Sequence, residues 1–311
     1  MASYNLEPTR TNLCGAISRE HSPILTIESG DTVHYRTLDA GWGLEPLISP
    51  TQERRKFEPR GEHDRGHALI GPVAVQGAKP GNVLEVQIGT IRPGAYGFSV
   101  AGGWPHPVNE RFGLVDKSNM TVHAWTLDRD RMVGQNQYGH TVALRPFMGV
   151  MGLAPDEPDM LSTVPPRFCG GNLDCKELVS GSNLYLPVTV EGGFFYVGDG
   201  HAAQGDGEVS ETAIECPMEE VALTFHVHNN AKLSMLRAKT PAGWITFGLH
   251  QDLEEAMYIA LEEMVLLLQE MLKVERTHAL ALASVAVDLR ITQIVNGVRG
   301  VHALLPHGAI R

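Results

Sequence analysis

The sequence predicts a mostly β fold: sandwich-like layers of strands with a helical hairpin near the C-terminus. Three observations carry that reading. Short β-rich runs follow one another with Gly and Pro turns between them. Strong helical periodicity appears only after residue 252. No helical pattern separates consecutive strands, which argues against a parallel βαβ sheet. At 311 residues the chain fits one unit, 1–311, or two β subdomains meeting near 150–170.

The first strands are expected at 24–27 and 32–35, either side of the turn sequence Glu28-Ser29-Gly30-Asp31. The second runs out at Asp39, before Gly41-Trp42-Gly43. Residues 48–66 are polar and charged and read as a loop or lid, with His63, Asp64 and His67 near its end. Strand patterns return at 70–75 and 83–91, joined through Lys79-Pro80-Gly81-Asn82. Residues 92–120 are loop-rich, 121–127 and 141–144 are short strands, and 149–170, with four prolines, is irregular. Runs at 184–190 and 194–197 flank Glu191-Gly192-Gly193 and read as a hairpin. Alternation at 221–228 and a run at 244–247 add two more strands. Asp252 is a candidate N-cap for a helix with Leu253, Met257, Leu261, Met264 and Leu268 on one face. A shorter helix near 275–283 would pair with it, and 285–291 alternates like a closing strand.

Hydrophobic residues make up 43% of the chain and charged residues 20%, enough for a large core and against disorder. Acidic residues outnumber basic ones 36 to 25, a net charge of −11, so nothing here would neutralise a row of phosphates and no nucleic-acid partner is expected. The cysteines Cys14, Cys169, Cys175 and Cys216 include no Cys-x-x-Cys pair and read as the reduced thiols of a cytoplasmic protein. The N-terminus lacks an apolar signal region, and the longest apolar run, near 264–268, is far short of the roughly 20 residues a membrane helix needs.

The chemistry concentrates at 198–208, Gly-Asp-Gly-His-Ala-Ala-Gln-Gly-Asp-Gly-Glu. Four glycines there suggest backbone free to take positive φ, yet the stretch also holds two aspartates, a histidine, a glutamine and a glutamate. Gly198-x-Gly200-x-x-Ala203 superficially matches a dinucleotide fingerprint, but no helix can start at Gln204-Gly205-Asp206-Gly207 to receive a pyrophosphate. EF-hand spacing is absent. Asp199 and His201, with Asp174 upstream, could instead hold a divalent ion with an open position for water, and Glu208 could act as its general base. The plain alternative is an Asp capping its own turn beside a structural His. A rival chemistry would use Cys175 as a nucleophile beside Lys176 and Glu177, against the ordinary fate of a buried, inert thiol.

Gly171-Asn172-Leu173-Asp174, Leu184-Tyr185-Leu186-Pro187-Val188 and the whole stretch 198–208 resemble the acetamidase/formamidase family. Ile70-Gly71-Pro72-Val73, Gly77-Ala78-Lys79-Pro80-Gly81 and Val287-Asp288-Leu289-Arg290-Ile291-Thr292-Gln293 extend the likeness from about residue 20 to the end. The resemblance implies a β-rich, homo-oligomeric hydrolase that splits small amides of the formamide or acetamide type into a carboxylate and ammonia. It also implies a divalent metal, zinc first and calcium as the alternative, held by Asp39, Asp174 and His201. Glu208 and Asp199 are then the catalytic candidates, and Asn172 and Gln204 the substrate-binding ones. Cys169-Gly170 and Ser210-Glu211 depart from the family pattern next to the motif, so the substrate stays open. A relative that binds metal and a small amide without turnover is the alternative function.

Overall fold

Strands too apolar to face water on either side must stack in layers, and the computed structural model, which describes residues 1–311, shows two large sheets and a small one. The nine-stranded sheet runs, in spatial order, Ser3–Leu6, Thr32–Thr37, Met218–His228, Val83–Pro93, Asn183–Pro187, Arg237–Lys239, Gly243–His250, Arg299–Pro306 and Asp288–Gln293. The six-stranded sheet runs Gly170–Asn172, Phe147–Leu153, Phe195–His201, Leu69–Val75 and Leu13–Cys14, with Leu25–Ile27 also paired to Leu69–Val75. A four-stranded sheet is built from Tyr96–Ala101, Thr121–Asp128, Val133–Asn136 and Thr141–Ala143. Both large sheets draw strands from either side of residues 150–170.

The main core is a single cluster of 43 buried residues reaching from Leu6 to Leu304. Phe195 of one large sheet meets Phe225 of the other edge to face, ring centroids 5.0 Å apart, as a sandwich interior requires. Within it, Leu69–Val75, Phe147–Leu153 and Phe195–His201 are buried at every position. Such central strands lose the alternation that marks a half-exposed strand. That explains why 147–153, Gly-rich and without period, fell partly into a stretch expected to be irregular. The strand Tyr96–Ala101 was likewise hidden among loop signals.

The expected hairpin at 184–197 does not form. Asn183–Pro187 pairs with Val83–Pro93 and Arg237–Lys239, whereas Phe195–His201 pairs with Phe147–Leu153 and Leu69–Val75 in the other sheet. Gly192 and Gly193, both at positive φ, carry the chain across the sandwich rather than back along one sheet. Gly192 is fixed at the corner by its N–H to Ala78 and its carbonyl to Val75. A Gly turn reports that the chain bends; which edges are free to accept the next strand is a long-range matter.

The helical hairpin is as expected. Asp252 accepts hydrogen bonds from Glu254 N and Glu255 N at 2.8 and 3.2 Å, the N-cap of Leu253–Leu272. Arg276–Ala286 follows and packs beside it. The long helix buries Ala256, Ala260, Met264 and Leu268 against the strand Gly243–His250. It comes so close that a Cβ on Gly248 would sit 1.8 Å from the Ala256 carbonyl. The closing strand is Asp288–Gln293, displaced from 285–291 because Val285 and Ala286 belong to the helix. No helix is long and apolar enough to cross a membrane.

Candidate active site

The strand Phe195–His201 places Asp199 and His201 two residues apart, and both line one cavity of about 390 Å³. Its antiparallel neighbour, Phe147–Leu153, pairs Met148 with Gly200 and Val150 with Gly198, which sets Gly149 opposite Asp199. The Gly149 carbonyl accepts from the backbone N–H groups of Leu173 and Asp174 at 2.9 and 3.3 Å, bringing Asp174 to the same spot. Beyond the strand the chain turns so that Glu208 and Glu215 also enter the cavity. The turn is pinned by backbone hydrogen bonds between Gly207 and the segment 292–294.

The result is four buried carboxylates around one buried imidazole. His201 Nε2 lies 3.2 Å from Asp199 Oδ1, 3.2 Å from Glu215 Oε1 and 4.0 Å from Glu208 Oε1; Nδ1 lies 3.9 Å from Asp174 Oδ1. Phe147 packs edge-on against the imidazole, fixing its plane. Asn296 Nδ2 donates to Asp174 Oδ2 at 2.6 Å. No arginine or lysine contacts the cluster within ion-pairing distance.

The electrostatics follow from that crowding. Burial raises Glu208 well above the usual carboxylate range, and the neighbouring Asp174 raises it further. Burial likewise raises Glu215 to about 7 and Asp174 to about 6, with Asp199 adding to both. For Asp199 burial pulls upward too, but His201 and then His67 outweigh it and hold the group low. Burial alone would depress His201; Glu215 and Asp199 reverse the sign and raise it. Without a cation the cluster has to hold protons to exist.

The glycines of 198–208 work differently from the expectation. Only Gly207 has positive φ. Gly198 and Gly200 are there for close approach: a Cβ would lie 2.5 Å from the Ala68 carbonyl and 2.7 Å from the Cys216 carbonyl. The left-handed backbone belongs instead to three of the carboxylates, Asp174 at φ 46, Asp199 at φ 59 and Glu208 at φ 45. A non-glycine residue held there is typically strained by about 1 kcal/mol or more, and such residues gather at working sites.

Asp174, Asp199, His201, Glu208 and Asn172 therefore meet in one cavity, while two other expected residues do not. Asp39 is corrected as a metal ligand. Both its oxygens are taken by the Arg54 guanidinium, at 2.7 and 3.1 Å, and one also accepts from the backbones of Gly41 and Gly43. Gln204 does not line the cavity; its Nε2 donates to the Asp174 carbonyl at 2.7 Å and braces that segment. The rival nucleophile Cys175 is buried outside the cavity, its thiol pushed up to about 12 by burial. Arg290 pairs with Glu177 and Asp288 and does not reach Glu208. Glu215, Asn296 and Gly149 are additions. The one signal for Glu215 was a carboxylate inside the otherwise apolar run Ala213-Ile214-Glu215-Cys216.

The donor set fits a divalent ion. Asp174, Asp199 and His201 offer ligand atoms within 4.8 Å of one another, and so do His201, Glu208 and Glu215. Asp174 Oδ1, His201 Nδ1 and Glu215 Oε2 are buried and without a hydrogen-bond partner. A Cβ on Gly149 would fall 2.3 Å from Asp199 Oδ2 and 2.6 Å from Asp174 Oδ1, so these two carboxylates converge over that glycine. Buried charges of one sign need a counter-charge, and buried oxygen and imidazole lone pairs without a partner are donors that a cation can use.

Comparison with known proteins gives one answer. The model of the acetamidase/formamidase family matches residues 19–162 and 158–307. Formamidase from Methylophilus methylotrophus is 30% identical over 195 residues, 46% of this chain and 47% of that protein. Acetamidase from Mycolicibacterium smegmatis is 28% identical over 200 residues, 46% and 49% of the two chains. This chain thus spans about half the length of those relatives. The crystal structure of acetamidase from Bacillus halodurans superposes with a TM-score of 0.84 at 27% identity, covering 97% of each chain.

Proposed function

Because this chain belongs to the acetamidase/formamidase family, we propose that it is a metal-dependent amidohydrolase, cleaving an aliphatic amide to a carboxylate and ammonia. The observation that carries the reading is the convergence of Asp174, Asp199, Glu208 and Glu215 on His201, with unpartnered lone pairs left over. Asp174, Asp199 and His201 would hold the ion, with Glu215 beside them. Mixed imidazole and carboxylate donors suit zinc; the number of carboxylates makes calcium the alternative. A bound ion would supply Lewis acidity for the amide carbonyl and acidify water.

The remaining work falls to residues of this chain. Asn172 is buried at the cavity wall, its Nδ2 donates to the Val164 carbonyl, and its Oδ1 has no partner. It is suited to accept the N–H of a substrate amide and so orient the scissile bond. Glu208 takes a proton from the attacking water and returns it to the amide nitrogen, so the departing group is ammonia rather than amide anion. The buried floor keeps the proton on these groups rather than in bulk water.

Ammonia release from a panel of amides, measured beside elemental analysis, tests this. About one divalent ion per chain is expected, and Asp174→Ala or His201→Ala should strip it, since a three-ligand site cannot spare one. Metal-free wild-type protein with full turnover would sink the metal assignment; a metal-loaded protein that releases no ammonia from any amide would sink the enzyme.

Metal stabilisation should also depend on pH. Glu215 and Asp174 have raised values in the folded, metal-free protein, so their favourable protonated contribution is complete below about 4 and lost as pH rises to about 7. Asp199, held low, is already ionised throughout that window. The metal-free protein is therefore penalised at pH 8 and relieved at pH 5. The difference in melting temperature between metal-loaded and chelator-treated protein should widen from pH 5 to pH 8. Taking the difference cancels groups such as His302, which burial lowers to about 4. A gap that is flat or narrows with pH would contradict the cluster's assigned charges.

Homo-oligomerisation and a reducing, cytoplasmic setting belong to the same reading. The edge strand Asp288–Gln293 exposes Leu289 and Ile291, and the adjoining helix exposes Leu280 and Val285. An apolar open edge is a site where a second chain gains by covering it. Light scattering at micromolar concentration should give at least twice the 33.9 kDa chain mass; one chain mass would rule the assembly out.

A further inference from the structure

We propose that the amide substrate carries a carboxylate, bound with its amide at the acidic floor and its anionic end against Lys56 and Arg65 at the cavity mouth. This rests on the amidase reading for the amide end and goes beyond it for the rest of the molecule.

The cavity is divided by depth. Asp174, Asp199, Glu208 and Glu215 are buried at its floor, whereas Lys56, Arg60 and Arg65 line it and are exposed. All three cations come from one segment, which the sequence marks as a loop or lid. Cations in this acidic chain are mostly paired, and the segment shows it: Arg54 is bonded to Asp39, Arg55 to Glu45 and Arg60 to Glu58. Lys56 and Arg65 have no carboxylate within 4.0 Å, and both face the cavity. Two unpaired cations of one lid, aimed at one space in a chain of net charge −11, ask for an anion.

Size and lining agree. The cavity holds about 390 Å³. One liquid water occupies about 30 Å³, and acetamide has only four non-hydrogen atoms, so acetamide would leave most of the space wet. A longer aliphatic amide would call for apolar walls, yet only 4 of 19 lining residues are hydrophobic. A short chain ending in a charge meets both the volume and the polarity.

The test uses succinamate and glutaramate, each beside its methyl ester, which keeps the shape and removes the charge. Binding is read by calorimetry and turnover by ammonia release, both on metal-loaded protein. The better acid is expected to bind at least about tenfold more tightly than its ester, the scale of a charge-assisted contact at a partly exposed site. That ratio should shrink as NaCl rises from about 20 mM to about 500 mM, because exposed charges are screened. Lys56→Gln/Arg65→Gln should bring the ratio near one, and Lys56→Glu/Arg65→Glu should invert it. Both residues are exposed, so folding is not at stake. Equal binding of acid and ester, or a preference that survives the double substitution, would overturn the proposal. Ammonia from uncharged amides without preference for the acids would overturn it and leave the amidase standing. Salt-sensitive binding of the acids with no ammonia from any amide would support the anion site and remove the amidase reading.

Discussion

Gly149→Ala is expected to abolish turnover and metal retention together while leaving the protein folded. The added methyl would lie 2.3 Å from Asp199 Oδ2, 2.6 Å from Asp174 Oδ1 and 2.9 Å from His201 Cε1. The backbone cannot yield, because Phe147–Leu153 is buried throughout and paired on both sides. The three side chains must therefore move by about an ångström, and a displacement of that size can cost about 10²-fold in rate on its own. Because the same three groups are the proposed ligands, the ion goes with them, and the combined loss should exceed 10²-fold. Gly149 does not have positive φ, so no backbone strain is added, and Gly→Ala removes entropy from the unfolded chain. The melting temperature measured in chelator should consequently stay close to wild type. Gly152→Ala makes the contrast: its methyl would meet the backbone N of Gly171 at 2.1 Å, so it should damage the fold itself. Full turnover with a retained ion in Gly149→Ala would mean that Asp174 and Asp199 swing freely, and the convergence drawn above would be wrong.

The readings that survived are the ones local chemistry decides. Asp252 begins a helix because its carboxylate satisfies the first free N–H groups, whatever packs against the helix later. Asp174, Asp199, His201 and Glu208 drew notice because so many ionisable groups on so little bulk have no folding purpose, and they do meet. Asp39 shows where that logic stops. An aspartate ahead of Gly-Trp-Gly looks the same whether it binds a metal or an arginine, and Arg54 reaches it only in the folded chain. Glu215, Gly149 and Asn296 enter from separate segments by strand pairing and turn placement, which no window of sequence contains. The Gly192-Gly193 corner failed for the same reason: two glycines permit a bend, and the open edges of two sheets decide where it leads.

Glu208→Gln is expected to cut turnover by roughly 10²–10⁴-fold, the usual worth of a positioned acid–base group. The geometry removes Arg290 as a structural ion-pair partner for Glu208, since it is engaged by Glu177 and Asp288. Glu208 is buried, faces His201 Nε2 at 4.0 Å, and sits with φ 45 at the end of a loop pinned by Gly207. Holding a glutamate there opposes both backbone preference and carboxylate solvation, against which stands the attraction of His201. Glutamine keeps the size and the strained backbone while removing a charge that burial and Asp174 already disfavour. The metal-free variant should therefore melt at or above the wild-type temperature. Asp174, Asp199 and His201 are untouched, so the ion should stay. The decisive pattern is a collapse of kcat with metal content and stability preserved. Loss of the ion along with the rate would make Glu208 a ligand instead, alongside His201 and Glu215. Intact turnover per folded molecule would end its role in proton transfer altogether.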